Sequence, residues 1–287
     1  MTDAATIARA HALADEEDRR AGVRTRSAEP GDLAAVLARF DATWGTGHTV
    51  DLAWLTAVAH AGSTVLLADA PGAAAGSGAA SAHAPAPAAP ALAPAAPAPA
   101  APALGALLGF LGWEGGLHVH SHMNAVDPAV RGRGIGVALK LRQRAICLEH
   151  GIEEVRWTYD PLIRRNARMN LRRLGAEVAA YLPDFYGELR DAISGGDRSD
   201  RFEVRWRLTS PRVVRALERM PQPAWHAHGG LPLVADFEAV RGADPETAGA
   251  LRAASREAFA ALADGLRPEL DAAGDYVFTA DDPDREP

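Results

Sequence analysis

A segment in the middle of the chain combines glycine with positive charge, at the point where a strand pattern gives way to a helix pattern. Its six residues are Arg131, Gly132, Arg133, Gly134, Ile135 and Gly136. Glycine lets a ligand approach the backbone closely. The first N–H groups of a helix have no partner within the helix, and the helix dipole favours negative charge there. We therefore expect an anion-binding turn, and a pyrophosphate is the ligand that such a turn would hold.

Three phosphate-binding motifs can be compared with this segment. The dinucleotide motif G-x-G-x-x-G would need a glycine at position 137, where the chain has valine. The Walker motif G-x-x-x-x-G-K-[ST] does not occur. The third motif, [RQ]-x-x-G-x-[GA], is matched in full from Arg131 to Gly136. A glycine-rich turn without a ligand stays open as the alternative.

The flanking patterns indicate which elements must position this turn. Helix patterns lie at 30–44, 51–61, 134–150 and 165–174, and strand patterns at 23–27, 63–70, 104–114, 117–126, 154–159, 177–182 and 202–208. Strands and helices in this order predict a mixed α/β domain. Residues 232–287 hold 13 acidic residues and 5 arginines. We expect a helix at 246–262 and a closing strand at 275–279 in this acidic region.

One segment differs in composition from everything around it. Residues 71–103 contain 18 alanines and 8 prolines. Proline at this density excludes a helix, and alanine offers little apolar surface to bury. We expect a disordered or polyproline-like linker, inserted at the tip of a β-hairpin between two strand patterns.

Composition excludes several classes of protein. The chain has 287 residues and a formal net charge of −7. General nucleic-acid and membrane-surface binding are not expected at this charge. No apolar run is long enough to span a membrane, and no secretory signal is recognisable. The single cysteine, Cys147, excludes an internal disulfide framework. These features predict a cytoplasmic protein.

The glycine turn and its surroundings resemble the GNAT superfamily of acyl-CoA N-acyltransferases. The stretch 126–145 reads VDPAVRGRGIGVALKLRQRA, and 165–176 reads RNARMNLRRLGA, with the early Asn and the final Leu-Gly of that family. The segments His122-Met123, W-T-x-D-P at 157–161 and Y-L-P-x-x-Y-G at 181–187 are similar to a poorly characterised subgroup of larger predicted acetyltransferases. The resemblance covers about 23–208, interrupted by the linker.

The resemblance implies both a fold and an activity. The fold would be a central mixed, mostly antiparallel sheet with helices on both faces in an acyltransferase domain at 23–208. A helical segment at 1–22 would precede it, and an acidic C-terminal extension at 209–287 would follow. The activity would be direct transfer of an acyl group, acetyl being expected, from acyl-CoA to a small-molecule amine or amino acid. A non-catalytic acyl-CoA-binding or regulatory module is the alternative, and a homodimer is the assembly considered.

The resemblance also implies how acyl-CoA would be held as a co-substrate, without a metal. The pyrophosphate would contact the N–H groups of 131–136, and the pantetheine arm would run along the fourth strand. The further contacts would come from Met123, Ala125, Val126, Asn166 and Asn170. Five arginines on the following helix are either a solvated face or a site for the 3′-phosphate of CoA: Arg164, Arg165, Arg168, Arg172 and Arg173.

A general base is expected on the fourth strand, because an amine acceptor must lose a proton before it attacks. His118, His120 and His122 fall on one face of that strand. Histidine is suited to this role, with an ordinary pKa near 6.5. We expect His120 to be the base, with His122 as the second candidate and Glu114, acting through water, as a third. Solvated histidines without a role and a zinc site of the H-x-H type are the alternatives.

The general acid departs from the family pattern. Many GNAT enzymes have tyrosine four residues before the Leu-Gly glycine, where this chain has Leu171. Tyr159, Tyr181 and Tyr186 are the other candidates, and we expect Tyr186 because it lies in a Pro/Gly-flanked loop; a packing role is the alternative. Asp160 ends the fifth strand and would either bind the ammonium group of the acceptor or cap the turn.

Overall fold

The computed structural model describes residues 2–47, 49–72, 102–187, 197–260, 262 and 265–287. Most of the predicted linker, from 73 to 101, lies outside these residues. The helices are α1 (Ala4–Ala21), α2 (Leu33–Trp44), α3 (Leu52–His60), α4 (Ile135–Glu149), α5 (Arg164–Ala167), α6 (Pro211–Leu217), α7 (Phe237–Ala243) and α8 (Pro245–Ala260). The strands are β1 (Arg24–Ser27), β2 (Thr64–Asp69), β3 (Gly105–Gly112), β4 (His118–Val126), β5 (Glu154–Tyr159), β6 (Glu177–Leu182), β7 (Arg201–Arg207), β8 (Gly230–Leu231), β9 (Arg267–Leu270) and β10 (Tyr276–Thr279).

Seven of these strands form one sheet in the order β1-β2-β3-β4-β5-β7-β6. Strand β1 pairs with β2, β2 with β3, β5 with β7 and β6 with β7, all antiparallel. Strands β4 and β5 are parallel. A second, three-stranded sheet has the order β8-β10-β9. The mixed, mostly antiparallel α/β fold expected from the sequence is therefore confirmed.

The strands form because apolar and polar side chains alternate along them. In β5 the side chains of Val155, Trp157 and Tyr159 are buried, and the residues between them are partly exposed. Strand β7 shows the same pattern with Phe202, Val204 and Trp206. Alternation of this kind gives each strand one buried face and one face open to water.

The helix predicted at 165–174 differs from the one observed. The structure shows the four-residue helix α5 followed by π-helical turns, Arg168–Arg173. The Leu174 N–H donates to the carbonyl of Met169 at 2.9 Å. The wider turn places two consecutive side chains, Asn170 and Leu171, in the interior. π-Helical turns of this kind are often found at functional sites.

The chain divides into two compact units, and β4 contributes residues to each. The first unit consists of Ala8–Phe110 and Met123–Ala145. In its core, α2 and α3 pack on the β2 and β3 strands through side chains such as Val36, Phe40, Leu55 and Leu108. The domain boundaries predicted at 22/23 and 208/209 stay predictions.

The second unit consists of Met1–Ile7, Leu111–His122 and Ile146–Pro287. Its core is an aromatic cluster with ring centroids 4.6 to 5.9 Å apart. The rings are those of Tyr159, Tyr181, Phe202, Phe259 and Tyr276. Helix α8 and strand β10 supply two of these rings, so the acidic region after 232 is an integral part of this core. The helix and strand predicted there at 246–262 and 275–279 are confirmed by α8 and β10.

In the part of the chain that the structure describes, no helix is both long enough and apolar enough to cross a bilayer.

Candidate functional site

The end of β4 is fixed by a buried arginine before the glycine turn begins. The Arg39 side chain donates to a carboxylate oxygen of Asp127 at 2.7 Å and to the carbonyl of Ala103 at 2.7 Å. Asp127 in turn accepts from the N–H of Ala129 at 2.9 Å and caps the 3₁₀ turn Pro128–Val130. The backbone that enters the glycine turn is therefore held by side chains of its own unit.

Two of the three glycines of the turn adopt backbone conformations that favour glycine. Gly132 has φ +83° and Gly134 has φ +95°. A Cβ at Gly132 would have no atom within 4 Å, whereas a Cβ at Gly134 would lie 3.3 Å from a carboxylate oxygen of Glu17. The turn is therefore open at Gly132 and bordered by an acidic side chain at Gly134.

The N–H groups of the turn point to an anion site. Arg131 N–H donates to the carbonyl of Pro128 at 3.4 Å, and the N–H groups of Val137 and Ala138 both donate to the carbonyl of Gly134 at 3.0 Å. The described residues supply no acceptor for the backbone N–H groups of 132–136. These groups lie at the amino end of α4, where the helix dipole adds positive potential. The turn fits a pyrophosphate in this respect.

The two arginines of the turn have different surroundings. Arg131 is exposed. Arg133 donates from Nε to the carbonyl of Ala21 at 3.1 Å and from Nη2 to the carbonyl of Gly22 at 3.0 Å. The sequence expectation treated both arginines alike, but Arg133 is bound to the end of α1.

Strand β4 pairs with β5 near its amino end, and the predicted pantetheine contacts lie nearer its carboxyl end. Its parallel ladder with β5 pairs Val119 with Val155 and His120 with Arg156. Further along β4, the side chains of Met123 and Ala125 are buried. These two residues are among the predicted contacts of the pantetheine arm, and that role stays a prediction.

The three histidines of β4 are not equivalent. His118 is buried, with Nδ1 2.7 Å from the carbonyl oxygen of Gly116, and it stabilises the β3–β4 hairpin. His120 is partly buried, and the ring of His122 is exposed at a centroid distance of 5.8 Å from it. Neighbouring protein atoms still partly desolvate the His122 imidazole, and this desolvation lowers its pKa.

The metal alternative was a zinc site built on the same histidines. Among the described residues, no three His, Cys, Asp or Glu side chains are placed to bind one ion.

Tyr186 lies close to β5. Its hydroxyl is 3.3 Å from Oγ1 of Thr158, and its N–H donates to Oγ of Ser199 at 2.8 Å. His120 pairs with Arg156 of β5, and Thr158 lies two residues further along β5, on the same face of the sheet. Tyr186 and the two histidine candidates therefore belong to the same face of the sheet in the second unit.

The two other tyrosine candidates are engaged elsewhere. The Tyr159 hydroxyl is 3.2 Å from that of Tyr276, and burial raises the pKa of Tyr159. The Tyr181 hydroxyl donates to a carboxylate oxygen of Asp200 at 2.8 Å; burial and that contact raise the pKa of Tyr181. Of the three, Tyr186 is the one with an exposed ring.

Asp160 has a structural partner that the sequence expectation missed. Its two carboxylate oxygens each accept a hydrogen bond from the Arg252 guanidinium, both at 2.8 Å. Arg252 also donates to Asp197 at 2.6 Å. The N–H of Leu162 donates to Asp160 at 3.0 Å, which is the contact expected of a turn cap. An acceptor ammonium would have to displace the Arg252 pair, and the role of Asp160 in acceptor binding stays a prediction.

The two asparagines predicted to contact acyl-CoA, Asn166 and Asn170, differ in their burial on the helical segment after β5. Asn170 is buried, and its Oδ1 accepts from the indole N–H of Trp157 at 3.2 Å. Its Nδ2 has no hydrogen-bond partner among the described residues. Asn166 is partly exposed. Leu171, at the position of the usual tyrosine, is buried.

The arginine face of this helix is neither free nor merely solvated. Arg164 donates to the carbonyls of Leu233 and Ala273, and Arg165 contacts the Glu238 carboxylate. Two further arginines donate to carbonyls at 271–273: Arg168 and Arg172. These side chains hold the C-terminal region, which makes the alternative of a 3′-phosphate site unfavourable.

Comparison with known proteins gives fold similarities at low identity. No family model matches the chain, and no characterised protein matches it by sequence. Among solved structures, yncA of Salmonella typhimurium with its cofactor acetyl-CoA has 18% identity and a TM-score of 0.44, covering 66% of this chain and 95% of that one. An N-acetyltransferase from Staphylococcus aureus Mu50 has 16% identity and a TM-score of 0.44, covering 65% and 99%. An acetyltransferase described as a GNAT protein, from Desulfovibrio desulfuricans, has 14% identity and a TM-score of 0.40, covering 65% and 99%.

Proposed function

We propose that the protein is an acyl-CoA N-acyltransferase that transfers an acyl group, acetyl being the expected one, to a small-molecule amine or amino acid. The observation that carries the proposal is the glycine turn between β4 and α4. Its N–H groups at 132–136 have no acceptor among the described residues, and a Cβ at Gly132 would enter open space. Arg131 supplies an exposed positive charge beside them. A pyrophosphate group satisfies both features.

The proposed reaction uses groups on β4 and in the loop after β6. The acceptor nitrogen forms a bond to the acyl carbon, the carbon–sulfur bond breaks, and the CoA thiolate takes up a proton. His120 or His122 would remove the proton from the acceptor ammonium. The lowered pKa of His122 keeps that imidazole neutral at pH 7, the form that accepts a proton. Tyr186 would donate the proton to the thiolate.

The remaining proposed contacts are those with the pantetheine arm. The backbone of β4 near Met123, Ala125 and Val126 would accompany the pantetheine arm, with Asn166 beside it. A cytoplasmic location and a homodimer stay expectations from the sequence. Leu171 favours the second candidate function, a module that binds acyl-CoA but does not transfer the acyl group, because a buried leucine cannot donate a proton.

Calorimetric titration with acetyl-CoA and with CoA tests the proposal first. Binding of either compound is expected, and binding of neither would overturn both candidate functions. Release of free CoA thiol over a panel of amines and amino acids then separates the two. Turnover with at least one acceptor supports the transferase. Binding without turnover over the panel favours the non-catalytic module.

The identity of the base is tested with two single variants, His120→Ala and His122→Gln. The base is the residue whose replacement lowers kcat and removes the acid limb of the pH profile. A profile unchanged in both variants would exclude the histidines from this role.

A further inference from the structure

Helix α1 ends in a complete glycine-terminated cap. The N–H of Gly22 donates to the carbonyl of Arg19 at 3.3 Å, and the N–H of Val23 donates to the carbonyl of Asp18 at 3.0 Å. Gly22 has φ +64°. This bond pattern is a Schellman motif, which satisfies two of the last carbonyls of a helix. The carbonyls of Ala21 and Gly22 need a different donor.

Arg133 of the glycine turn is that donor. Its guanidinium gives one hydrogen bond to each of these two carbonyls, at 3.1 Å and 3.0 Å. The carboxyl end of a helix carries a partial negative charge, which a guanidinium compensates. The guanidinium also lies against Gly22, because a Cβ there would be only 2.6 Å from Nη2 of Arg133.

The end of α1 is itself firmly held within its unit. The Asp18 carboxylate accepts from the N–H of Thr25 at 3.0 Å and from its hydroxyl at 2.7 Å. Arg142 of α4 donates to Asp18 at 3.1 Å, to Asp15 at 2.6 Å and to the Thr25 hydroxyl at 3.1 Å. Both Asp18 and Thr25 are buried. The end of α1 is therefore anchored to β1 and to α4, the helix that begins at the glycine turn.

We propose that Arg133 is a strut between the glycine turn and the end of α1, so that α1 fixes the shape of the turn and thereby its affinity for CoA. The proposal rests on the proposed function, because it concerns the same turn. It assigns Arg133 a positioning role: its two described hydrogen bonds go to backbone carbonyls, and Arg131 is left as the cation for the phosphates. An Arg133 that contacts phosphate directly would have to leave these two carbonyls.

Gly22→Ala tests the strut from a residue outside the turn. The added Cβ meets the Arg133 guanidinium and should displace it. Gly62→Ala is the matched control. Gly62 follows α3 in the same motif, with Gly62 N–H to Ala59 and Ser63 N–H to Val58. It has φ +82°, and a Cβ there meets no atom within 4 Å. Both variants carry the cost of a left-handed alanine, but only Gly22→Ala disturbs Arg133.

Two measurements read the result. Calorimetry should show the Kd for CoA raised about tenfold in Gly22→Ala and changed less than about twofold in Gly62→Ala. Hydrogen exchange of the ligand-free protein should show the hydrogen-bonded amides on either side of the turn, those of Arg131, Val137 and Ala138, exchanging about tenfold faster in Gly22→Ala alone. Equal behaviour of the two variants in both measurements would overturn the strut. Because the exchange measurement needs no ligand, it decides the strut even when the wild type does not bind CoA and the proposed function fails.

Arg133→Met and Arg133→Lys separate the strut from a phosphate contact. Lysine keeps the charge but cannot reproduce the two-pronged donation to the carbonyls of Ala21 and Gly22. The strut predicts that both variants weaken CoA binding about equally and that the dependence of the Kd on ionic strength stays that of the wild type. Wild-type affinity in Arg133→Lys, with a weaker salt dependence in Arg133→Met, would assign Arg133 to the phosphates and overturn the proposal.

Discussion

Replacing Arg252 by methionine should strongly destabilise the protein. The guanidinium of Arg252 makes three hydrogen bonds, two to Asp160 at 2.8 Å each and one to Asp197 at 2.6 Å. Its side chain is 4% exposed. The pair joins the end of β5 to α8, so it connects the region after 211 to the sheet of the second unit.

The cost follows from what the substitution leaves behind. Breaking a buried ion pair from one side costs about 3–5 kcal/mol, because an uncompensated charge stays buried. The Asp160 and Asp197 side chains are 12% and 13% exposed, so water reaches each of them in part. The N–H of Leu162 also still donates to Asp160. We therefore expect a loss at the lower end, about 3 kcal/mol, which lowers Tm by about 6–12 °C.

Urea unfolding followed by circular dichroism measures this loss. Arg198→Met is the matched control, since Arg198 pairs with Asp184 at 2.7 Å but is 65% exposed. An exposed pair of this kind contributes about 0–1 kcal/mol. Equal stability of the two variants would refute the structural role of the Arg252 pair. If Arg252→Met had normal stability but a raised KM for the acceptor, the result would support the alternative role of Asp160, binding of the acceptor ammonium.

Three further predictions follow from single sites. Burial alone would raise the pKa of Asp200, but its hydrogen bonds, above all to Arg256, lower the pKa to about 2. Ionised Asp200 should therefore add about 2 kcal/mol to the free energy of unfolding above pH 4, and this stabilisation should be lost as the pH falls from about 4 to 2. In acid unfolding, the Asp200→Asn variant should not show this loss of stability. Gly175 has φ +71°, and a Cβ there would lie 2.9 Å from atoms of α6, so Gly175→Ala should lower the free energy of unfolding in urea by at least about 2 kcal/mol. Gly187 has φ +69° and a Cβ there meets no atom within 4 Å, so Gly187→Ala should lower it by about 1 kcal/mol. If His122 is the base, the acid limb of kcat/KM should lie below pH 6.5, because the pKa of His122 is lowered; a limb above pH 7 would contradict the assignment.

Many of the helices and strands could be predicted because the residue patterns that specify them are local in the sequence. Strands β5 and β6 have the predicted bounds. Alternation of apolar and polar residues indicates β5, whereas Gly175 before β6 and Pro183 after it mark the ends of that strand. The glycine turn was also predictable, because glycine spacing, the preceding Asp-Pro and the following helix pattern lie within about twenty residues. The π-helical turns Arg168–Arg173 were not, because their widening depends on what is buried beneath them.

The residues whose roles could not be predicted have partners far away in the chain. Asp160 pairs with a residue 92 positions later, and Arg133 with carbonyls 111 and 112 positions earlier. A chain with 30 basic residues, all but Lys140 arginine, offers too many equivalent partners for composition to choose among. Gly22, directly after the helical segment at the amino end, is a sequence signal for a helix cap whose last carbonyls need further donors.

The most direct test of the acyl-CoA site is calorimetric titration of acetyl-CoA into Gly132→Glu, with Gly62→Glu as the control. Both glycines have nearly the same φ, +83° and +82°, and a Cβ at either meets no atom within 4 Å. The two substitutions therefore differ in whether the new carboxylate enters the glycine turn. We predict wild-type affinity for Gly62→Glu and a loss of at least about 100-fold for Gly132→Glu, because the carboxylate repels the pyrophosphate and fills its place. Wild-type affinity in Gly132→Glu would contradict the assignment of this turn as the acyl-CoA site.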